Sequence, residues 1–421
     1  MPLRTLAVDF NSYFASCEQQ ENPALRHKPV AVVPVLANTT CCISVSYAAK
    51  ARGVRSEMSV QEAQMHCPEL ALVEARPALY ERYHRRFLEA IESCIHVTTI
   101  KSIDEVECDL TRTFASKEKA LEVARQIKAT VRRDVGECLT SSIGIAPNWT
   151  LAKMASDMQK PDGLVVIEES DLPTRLLGLE LQDFLGIGPA MEARLIASGI
   201  DTVAKLYAAT KTQLRGVWGG VVGERMYARI RGEKIPEELM THKTVGHSHV
   251  LPPQFRTEAK ALAVLHRLIQ KAALRLRSIN HYAGSLTVFV SYKQGTWTDE
   301  IRFNETQDTL SMSKALRQLC SRRPPDVVRR VPMQVGLVLS RLIPAACSTP
   351  DLFELDQENN RARLNSAMDD LNQVFGNGTV FFGGAFGATK AAPMRIAFTR
   401  IPKPELEEID PDRRRRLRPL K

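Results

Sequence analysis

The sequence of 421 residues predicts an α+β fold. Two observations support this class. Short apolar runs typical of strands mix with amphipathic helices, but without the strict strand-helix alternation of a parallel sheet. Residues 243–340 then follow the order strand, helix, strand, strand, helix, strand, which is a compact β-α-β-β-α-β unit. The length predicts two to four domains.

The first part of the chain begins with a buried strand over residues 4–10, "RTLAVDF", with Asp9 at its C-terminal end. A second strand is expected at 28–35, and residues 45–66 have helical spacing with a break near "RGVRS". The later elements follow in order: a helix at 79–95, strands at 96–100 and 105–110, a helix at 117–135, a strand at 140–147 and a helix at 148–158.

Short helices punctuated by glycine are expected from about 172 to 240, where "FLGIGPAMEARLIASGI" (184–200) predicts two helices joined by a Gly-x-Gly turn. The β-α-β-β-α-β unit is expected as strand 243–250, helix 255–278, strands 284–292 and 297–303, helix 308–321 and strand 332–340. The tail from 346 contains one helical piece, "NRARLNSAMDDLNQVFG", and ends in the basic arm "PDRRRRLRPLK".

Composition predicts a soluble cytoplasmic protein, since 44% of the residues are hydrophobic and 25% are charged. The sequence has no apolar run of the ~18 residues that a membrane span requires, and its N-terminus lacks the apolar core of a signal peptide. The nine cysteines are scattered without a C-x-x-C pair, which favours reduced thiols over a disulfide framework or a zinc site.

The charge distribution indicates a polyanionic partner, most simply nucleic acid. The net charge is +9, and residues 241–345 alone contain 16 Lys and Arg against 6 Asp and Glu. A basic domain beside a nearly neutral remainder is typical of nucleic-acid binding. The alternative is a soluble domain that happens to be basic.

Three carboxylates are candidates for a metal site. Asp104 and Glu105 are adjacent in "KSIDEVECDL", and neighbouring strand residues point to opposite faces, so a turn near Lys101-Ser102 is needed to aim both at one target. With Asp9 they offer the hard oxygen ligands that Mg²⁺ prefers, and two such ions can promote phosphoryl transfer. The alternative is an exposed acidic hairpin, with Asp9 as a helix cap.

Four segments in this order resemble the Y-family, translesion DNA polymerases, in their bacterial DinB/UmuC branch. They are "AVDFNSYFASCEQQENPALRHKPVAV", "VSYAAKARGVRSEM", "SIDEVECDLT" and "SIGIAPNWTLAKMASDMQKPDG". The resemblance extends to about residue 345. It implies a right-hand polymerase with a palm (1–11 and 75–166), small fingers (12–74), a helix-hairpin-helix thumb (167–240), a little finger (241–345) and a C-terminal extension (346–421).

The resemblance also implies the active-site residues. Asp9, Asp104 and Glu105 would be the catalytic, metal-binding carboxylates, with the carbonyl of Phe10, and would hold two Mg²⁺ ions for which Mn²⁺ can substitute. The deoxynucleoside triphosphate would contact Tyr13, Phe14, Tyr47, Lys50 and Lys160. Phe14 stands at the steric gate that excludes a ribose 2′-OH, with a core phenylalanine as the alternative.

Two positions depart from the family pattern. Lys50 replaces the usual arginine, which keeps the charge but loses the bidentate guanidinium, and Arg52 or Arg55 could compensate. Asn11 replaces a frequent aspartate that is not a primary ligand.

DNA contacts are expected in two places. Gly186 and Gly188 in "GIGPAMEARL" would let the backbone approach a phosphate next to a helix N-terminus. In the basic unit the expected phosphate contacts are Lys293, Arg302, Arg329, Arg330 and Arg341, any of which could instead be a solvated charge. In "TPDLFELD", Leu352 and Phe353 match a sliding-clamp peptide, but Thr349 stands in place of its glutamine. The alternative is a loop whose Leu-Phe pair packs on the protein.

The predicted function is therefore a template-directed translesion DNA polymerase that is monomeric, error-prone and without proofreading. Its expected partners are primer-template DNA and deoxynucleoside triphosphates. The sliding clamp is a further expected partner, although the clamp motif is incomplete. The main alternative is a polymerase-like accessory protein that binds DNA or clamp without catalysis. A helix-hairpin-helix nuclease is a second alternative. A nucleotide hydrolase is disfavoured because the sequence has no G-x-x-x-x-G-K-[ST] loop.

Overall fold

A computed structural model of the chain describes residues 3–111, 113–236, 243–348, 355–376, 378–389, 391–392 and 401. These residues form two compact units, one made mainly of residues 3–236 and the other mainly of residues 243–392. No helix in these described ranges is long and apolar enough to cross a membrane.

A five-stranded sheet organises the first unit. The strands of this unit are β1 (Thr5–Phe10), β2 (Val30–Val33), β3 (Ser44–Val45), β4 (Ala71–Glu74), β5 (Val97–Ile100), β6 (Glu105–Asp109), β7 (Ser141–Ala146) and β8 (Leu164–Val166). The large sheet has the order β5-β6-β1-β7-β8 and is antiparallel except for β7 and β8, while β3-β2-β4 form a smaller sheet. Every residue of β1 is buried, as its apolar run and central position require.

Ten helices are described in the first unit: α1 (Tyr13–Glu21), α2 (Tyr47–Lys50), α3 (Val60–His66), α4 (Pro77–Glu92), α5 (Lys117–Asp134), α6 (Trp149–Met158), α7 (Pro189–Ala197), α8 (Val203–Ala208), α9 (Lys211–Trp218) and α10 (Val221–Arg229). Helix α6 packs closely against β1 and β7. A Cβ atom on Gly144 of β7 would lie only 1.9 Å from the carbonyl oxygen of Ala152, so a glycine is needed for this close approach.

The glycine-rich segment differs from its prediction. A single 3₁₀ turn, Leu181–Asp183, stands where the first of two helices was expected, because the short run before the glycines is closed by reciprocal capping between Glu180 and Asp183. A second glycine connection was not predicted: α9 and α10 are joined by Gly219 and Gly220, both with positive φ (76° and 155°).

The second unit confirms the predicted β-α-β-β-α-β order. Its elements are β9 (Val245–Val250), α11 (Glu258–Ser278), β10 (His281–Tyr292), β11 (Gly295–Thr306), α12 (Thr309–Ser321), α13 (Pro325–Val328), β12 (Pro332–Ser340), β13 (Ile343–Pro344) and α14 (Leu355–Phe375). The main sheet has the order β11-β10-β12-β9, with β13 pairing with the end of β10. Helices α11 and α12 pack against it through a core that includes Leu268, Leu286 and Leu337.

The C-terminal extension contributes α14, which begins earlier than the helical piece expected from the sequence, and a short segment over residues 378–392. The Asp369 carboxylate of α14 accepts two hydrogen bonds from Arg277 of α11, at 2.6 and 2.8 Å. The clamp-like residues Thr349, Leu352 and Phe353 and the basic arm lie outside the described residues.

Candidate active site

Strand register brings the predicted carboxylates to one end of the large sheet. Asp9 of β1 is the antiparallel partner of Glu105 of β6, and the amide of Phe10 donates to the carbonyl oxygen of Asp104 at 3.0 Å. Asp104 lies in the turn after β5 and Glu105 is the first residue of β6, so the two acids stand at a hairpin end. Asp9 is buried, whereas Asp104 and Glu105 are half-buried.

The carboxylates of Asp9 and Glu105 face the same point, because both contact the ammonium of Lys153, which lies 3.0 Å from Glu105 Oε1. Asp104 accepts a hydrogen bond from the Ser102 hydroxyl at 2.5 Å. Burial raises the pKa of Asp104 to about 6, which the Ser102 hydrogen bond opposes and the charges of Asp9 and Glu105 reinforce. Three carboxylates therefore lie close together at one end of the large sheet.

Two lysines compensate this negative charge. Lys160 Nζ lies 2.7 Å from Asp9 Oδ2 and 2.8 Å from Asp157 Oδ1, and Lys153 Nζ lies 3.0 Å from Asp157 Oδ1. Burial by itself would lower the pKa of Lys153, but Asp9, Glu105 and Asp157 raise it above its ordinary value. We call Asp9, Glu105, Lys153, Asp157 and Lys160 the lysine–acid cluster.

Sequence reasoning identified Lys160 of this cluster but missed Lys153 and Asp157. Their signal is a Lys-Asp pair four residues apart on α6, a helix that is otherwise largely buried. On the sequence alone such a pair is typical of a solvated helix face.

The donor set fits a hard divalent cation. Three carboxylates near the Phe10 backbone offer the oxygen ligands that Mg²⁺ and Mn²⁺ prefer. Among the described residues no group of three or more His, Cys, Asp or Glu side chains is already arranged around a cation position. The Lys153 ammonium contacts both Asp9 and Glu105 and supplies positive charge at this point.

A buried histidine fixes the hairpin that bears Asp104. His84 of α4 places Nδ1 2.7 Å from the carbonyl oxygen of Ile103. Burial lowers the pKa of His84 to about 4, so the ring is neutral at pH 7 and Nδ1–H donates to the carbonyl. This contact links residues 19 positions apart and has no signal in the sequence.

Phe14 lies on a supported aromatic stack. Its ring packs on Tyr80, with centroids 4.4 Å apart and an interplanar angle of 24°. The Tyr80 hydroxyl donates to Glu18 at 2.8 Å, and the buried Glu18 carboxylate also pairs with Arg76. Tyr13 donates to the Tyr80 carbonyl at 2.7 Å. The ring of Phe14 is therefore held by Tyr80, which the sequence did not identify as a site residue.

Tyr47 and Lys50 share one face of α2, with Lys50 Nζ 4.4 Å from the centre of the Tyr47 ring. The pKa of Lys50 is lowered by burial and by the neighbouring charge of Lys160, and Asp9 opposes that change. Lys50 and Lys160 are thus close enough to repel each other beside the carboxylates. Arg52, which could have compensated for the missing arginine, instead pairs with Glu69 at 2.8 Å.

Asn11 is buried and saturated with hydrogen bonds. Its amide nitrogen donates to Ser142 at 3.0 Å, and its carbonyl oxygen accepts from the amide of Asp162 at 2.8 Å and from Thr140 at 3.2 Å. Aspartate could not make the donation to Ser142, so an amide suits this position. Asn11 thereby fixes the loop that follows Lys160.

The glycine turn before α7 is open to ligands. A Cβ on Gly188 would meet nothing within 4 Å, and one on Gly186, where φ is +92°, would meet only the end of Met226 at 3.9 Å. Gly188 caps a helix of nine residues that begins with Pro189, which has no N–H, and the amides of Met191 and Glu192 donate to the Gly188 carbonyl oxygen at 2.9 Å. The open space around Gly186 and Gly188 therefore admits a ligand at the position predicted for a phosphate.

In the second unit, the sheet face that α11 and α12 leave uncovered displays Thr287, Ser291, Thr296, Thr298 and Arg302, with Glu300 among them. We call these residues the open sheet face. Of the predicted phosphate contacts, Arg302 lies within β11, while Lys293, Arg329 and Arg341 are exposed in connections. Arg330 pairs with Asp326 at 2.9 Å.

The impB/mucB/samB family model matches residues 8–157, and the model of the C-terminal domain of that family matches residues 242–352. The chain belongs to the impB/mucB/samB family. The prediction of a Y-family member of the DinB-like bacterial branch is confirmed.

Curated relatives of this family member include a protein named DNA polymerase IV from Moorella thermoacetica, 32% identical over 88% of this chain and 93% of its own length. A second is named DNA polymerase IV 1, from Bacillus subtilis, and is 28% identical over 93% of this chain and 95% of its own length.

Solved structures share the fold. A Y-family DNA polymerase chimera that includes Dbh matches with a TM-score of 0.67 and 24% identity, covering 81% of this chain and 99% of the other. An insertion ternary complex of Dbh DNA polymerase matches over the same shares with a TM-score of 0.53 and 24% identity. The predicted α+β polymerase fold is confirmed.

Proposed function

We propose that this chain is a template-directed DNA polymerase of the translesion type, which adds deoxynucleotides to a primer 3′-OH with low fidelity and without proofreading. Membership of the impB/mucB/samB family and the relatives named DNA polymerase IV support this function. The observation that carries it is the convergence of Asp9 and Glu105, with Asp104 adjacent, beside Lys160, Lys50 and Tyr47.

The catalytic groups are proposed as follows. Asp9, Asp104, Glu105 and the Phe10 carbonyl would hold two Mg²⁺ ions, or Mn²⁺ in their place. Bound there, the ions supply charge stabilisation for phosphoryl transfer and lower the pKa of the primer hydroxyl.

The nucleotide is oriented by this chain's own side chains. Lys160 and Lys50 carry positive charge toward the triphosphate, and the Tyr47 hydroxyl lies on the same helix face as Lys50. Tyr13 and Phe14 line the sugar side, where the Phe14 ring would clash with a ribose 2′-OH. Because Phe14 is held against Tyr80, the ring cannot easily yield to the extra hydroxyl.

The DNA would be held by its backbone, as a polymerase that reads any sequence requires. Gly186 and Gly188 would donate to phosphates from the turn before α7. The open sheet face and Lys293, Arg329, Arg330 and Arg341 would contact the duplex backbone. The domain boundaries proposed are palm 1–11 and 75–166, fingers 12–74, thumb 167–240, little finger 241–345 and extension 346–421.

Three further assignments are proposed on sequence grounds: a monomer, a cytoplasmic location at the nucleoid when DNA is bound, and contact with the sliding clamp through Leu352 and Phe353. A pull-down of purified clamp by wild type and by the double variant Leu352→Ala, Phe353→Ala tests the last. Equal recovery of clamp would remove both residues from that role.

Extension of a labelled primer on a template with Mg²⁺ and deoxynucleotides tests the function. Wild type should lengthen the primer, and Asp104→Asn should reduce the rate by about 10²–10³-fold, the loss typical of removing a charge-stabilising group. Asp109→Asn, a control at the far end of β6, should extend normally.

The two alternatives give different products in the same assay. Shortening of the labelled strand would indicate a nuclease. If wild type and Asp104→Asn are equally silent while both bind the primer-template, the accessory-protein alternative is correct instead.

A further inference from the structure

Arg267 of α11 is a buried arginine without a partner among the residues that the structure describes. It is 6% exposed, it makes no hydrogen bond or ion pair within the described parts of the chain, and its Nε is inaccessible to water and unsatisfied. A buried charge is costly unless it is paired and hydrogen-bonded. Its pKa is lowered by burial alone, with no carboxylate acting on it.

Buried Arg323 and half-buried Arg277 of the second unit both have carboxylate partners. Arg323, 7% exposed, lies 3.1 Å from one oxygen of Glu258 and contacts the other. Arg277 makes a bidentate pair with Asp369. Arg267 therefore departs from a pattern that the same unit follows elsewhere.

The guanidinium of Arg267 lines a cavity of about 50 Å³ between α11 and the C-terminal extension. Lys271, Arg277 and Asp369 line it as well. Both oxygens of Asp369 are engaged by Arg277, and Lys271 donates to the carbonyl oxygen of Ala392 at 3.1 Å, so the guanidinium of Arg267 is the charge that a ligand in this cavity would meet. A water needs about 10–15 Å³ of such space, so the cavity has room for about four oxygen-sized groups.

The extension forms the opposite wall. Asn372 exchanges hydrogen bonds of 2.9 and 3.0 Å with the backbone of Val380, and Gln270 exchanges bonds of 3.3 and 3.1 Å with that of Phe382. A Cβ on Gly378, where φ is +81°, would lie 2.7 Å from Arg267 Nη1, so a side chain there would be strained and would displace the guanidinium. The wall is thus a fixed turn rather than an adaptable side chain.

We propose that this cavity binds a small tetrahedral oxyanion of the phosphate type, with Arg267 as its main ligand. A planar guanidinium is well matched to phosphate oxygens. The anion neutralises Arg267 and bridges α11 to the turn at Gly378, which fastens the extension to the second unit. Inorganic phosphate and the 5′-terminal phosphate of DNA share this chemistry.

Thermal unfolding of the full chain tests the proposal, with sodium phosphate compared against sodium chloride at equal ionic strength. Wild type should gain about 2–4 °C in Tm from phosphate beyond the gain of Arg267→Met, since a ligand that binds only the folded state stabilises it. In chloride, Arg267→Met should be at least as stable as wild type, because it removes an unpaired buried charge.

Two controls make the result decisive. Arg323→Met should lose stability in both buffers, because it removes the ion-pair partner of Glu258. It should keep the phosphate response. Exposed Arg317→Met should behave as wild type.

An equal phosphate gain in wild type and Arg267→Met would overturn the proposal, because phosphate stabilises proteins generally. The proposal would also be overturned if Arg267→Met unfolds at a lower temperature than wild type in chloride and neither protein gains stability from phosphate. A larger gain with a 5′-phosphorylated oligonucleotide than with inorganic phosphate or the unphosphorylated form, again lost in Arg267→Met, would support the site and assign its source to DNA ends.

Discussion

The lysine–acid cluster and the open sheet face use charge in opposite ways. In the cluster Asp9 is buried and Glu105 and Lys153 are half-buried, and acids and lysines neutralise one another at distances of 2.7–3.0 Å. On the open sheet face the polar groups are exposed, and the nearest acid to Arg302, Glu300, is 3.8 Å away. A single substitution in the cluster should therefore have a large effect on stability or activity. On the open sheet face each residue should contribute only a small part of the total DNA affinity.

The largest effect on stability is expected for Lys153→Met. Removing Lys153 leaves Glu105 without its ammonium partner and Asp9 with Lys160 alone, and breaking a buried pair costs about 3–5 kcal/mol. Urea unfolding in EDTA should show this loss, and added Mg²⁺ should recover much of it. Lys205→Met, which breaks the exposed Lys205–Asp201 pair, is the control and should change the unfolding free energy by less than about 1 kcal/mol. An unchanged midpoint for Lys153→Met would contradict the compensating role.

The second-largest effect is expected on the selection of deoxyribonucleotides over ribonucleotides. Phe14→Ala should lower the preference for deoxyribonucleotides by about 10²-fold, because the clash with the 2′-OH is removed. Tyr80→Leu should have a smaller effect of the same sign, and Tyr80→Phe, which keeps the stacked ring, a smaller one still. Single-nucleotide incorporation with ribo- and deoxyribonucleotides measures the ratio. An unchanged ratio in Phe14→Ala would remove Phe14 from the gate.

The salt dependence of DNA binding should show that each residue of the open sheet face makes a small, additive contribution to affinity. Primer-template affinity should fall steeply between about 50 and 200 mM salt, and Arg302→Ala should reduce the slope of log K against log [salt] by about 0.9, the loss of one phosphate contact. Arg317→Ala, on the helix-covered side, should leave the slope unchanged. A flat salt response of wild type would refute backbone binding by this basic unit.

The smallest effect is expected for Lys50→Arg, which restores the residue usual in the family. A bidentate guanidinium should lower KM for the incoming nucleotide by about threefold, with little change in kcat. Steady-state incorporation measures both constants. An increase in KM would show that the Tyr47–Lys50 contact, rather than the charge alone, positions this side chain.

The sequence was most informative where function depends on local pattern. The buried run before Asp9 and the hairpin at Asp104-Glu105 follow from alternation and turn residues, and the structure has both. The order of elements in the second unit was likewise predictable from the sequence, because its strands and helices are long and regular.

Long-range contacts could not be predicted in this way. Lys153 resembles a solvated charge until Gly144 lets α6 approach the sheet, and Tyr80 supports Phe14 from 66 positions away in the sequence. The short strand β8 and the single turn before Gly186 lack the length that makes a periodic pattern visible. Arg267 gives no signal at all, since its burial depends on the extension that covers α11.

The most direct test of the central claim counts bound metal rather than product. Mn²⁺ binding, followed by electron paramagnetic resonance with primer-template and a non-hydrolysable nucleotide, should give two ions per wild-type chain and fewer in Asp9→Asn, Asp104→Asn or Glu105→Gln. The same stoichiometry and affinity in wild type and all three variants would contradict the claim that these carboxylates form the metal site.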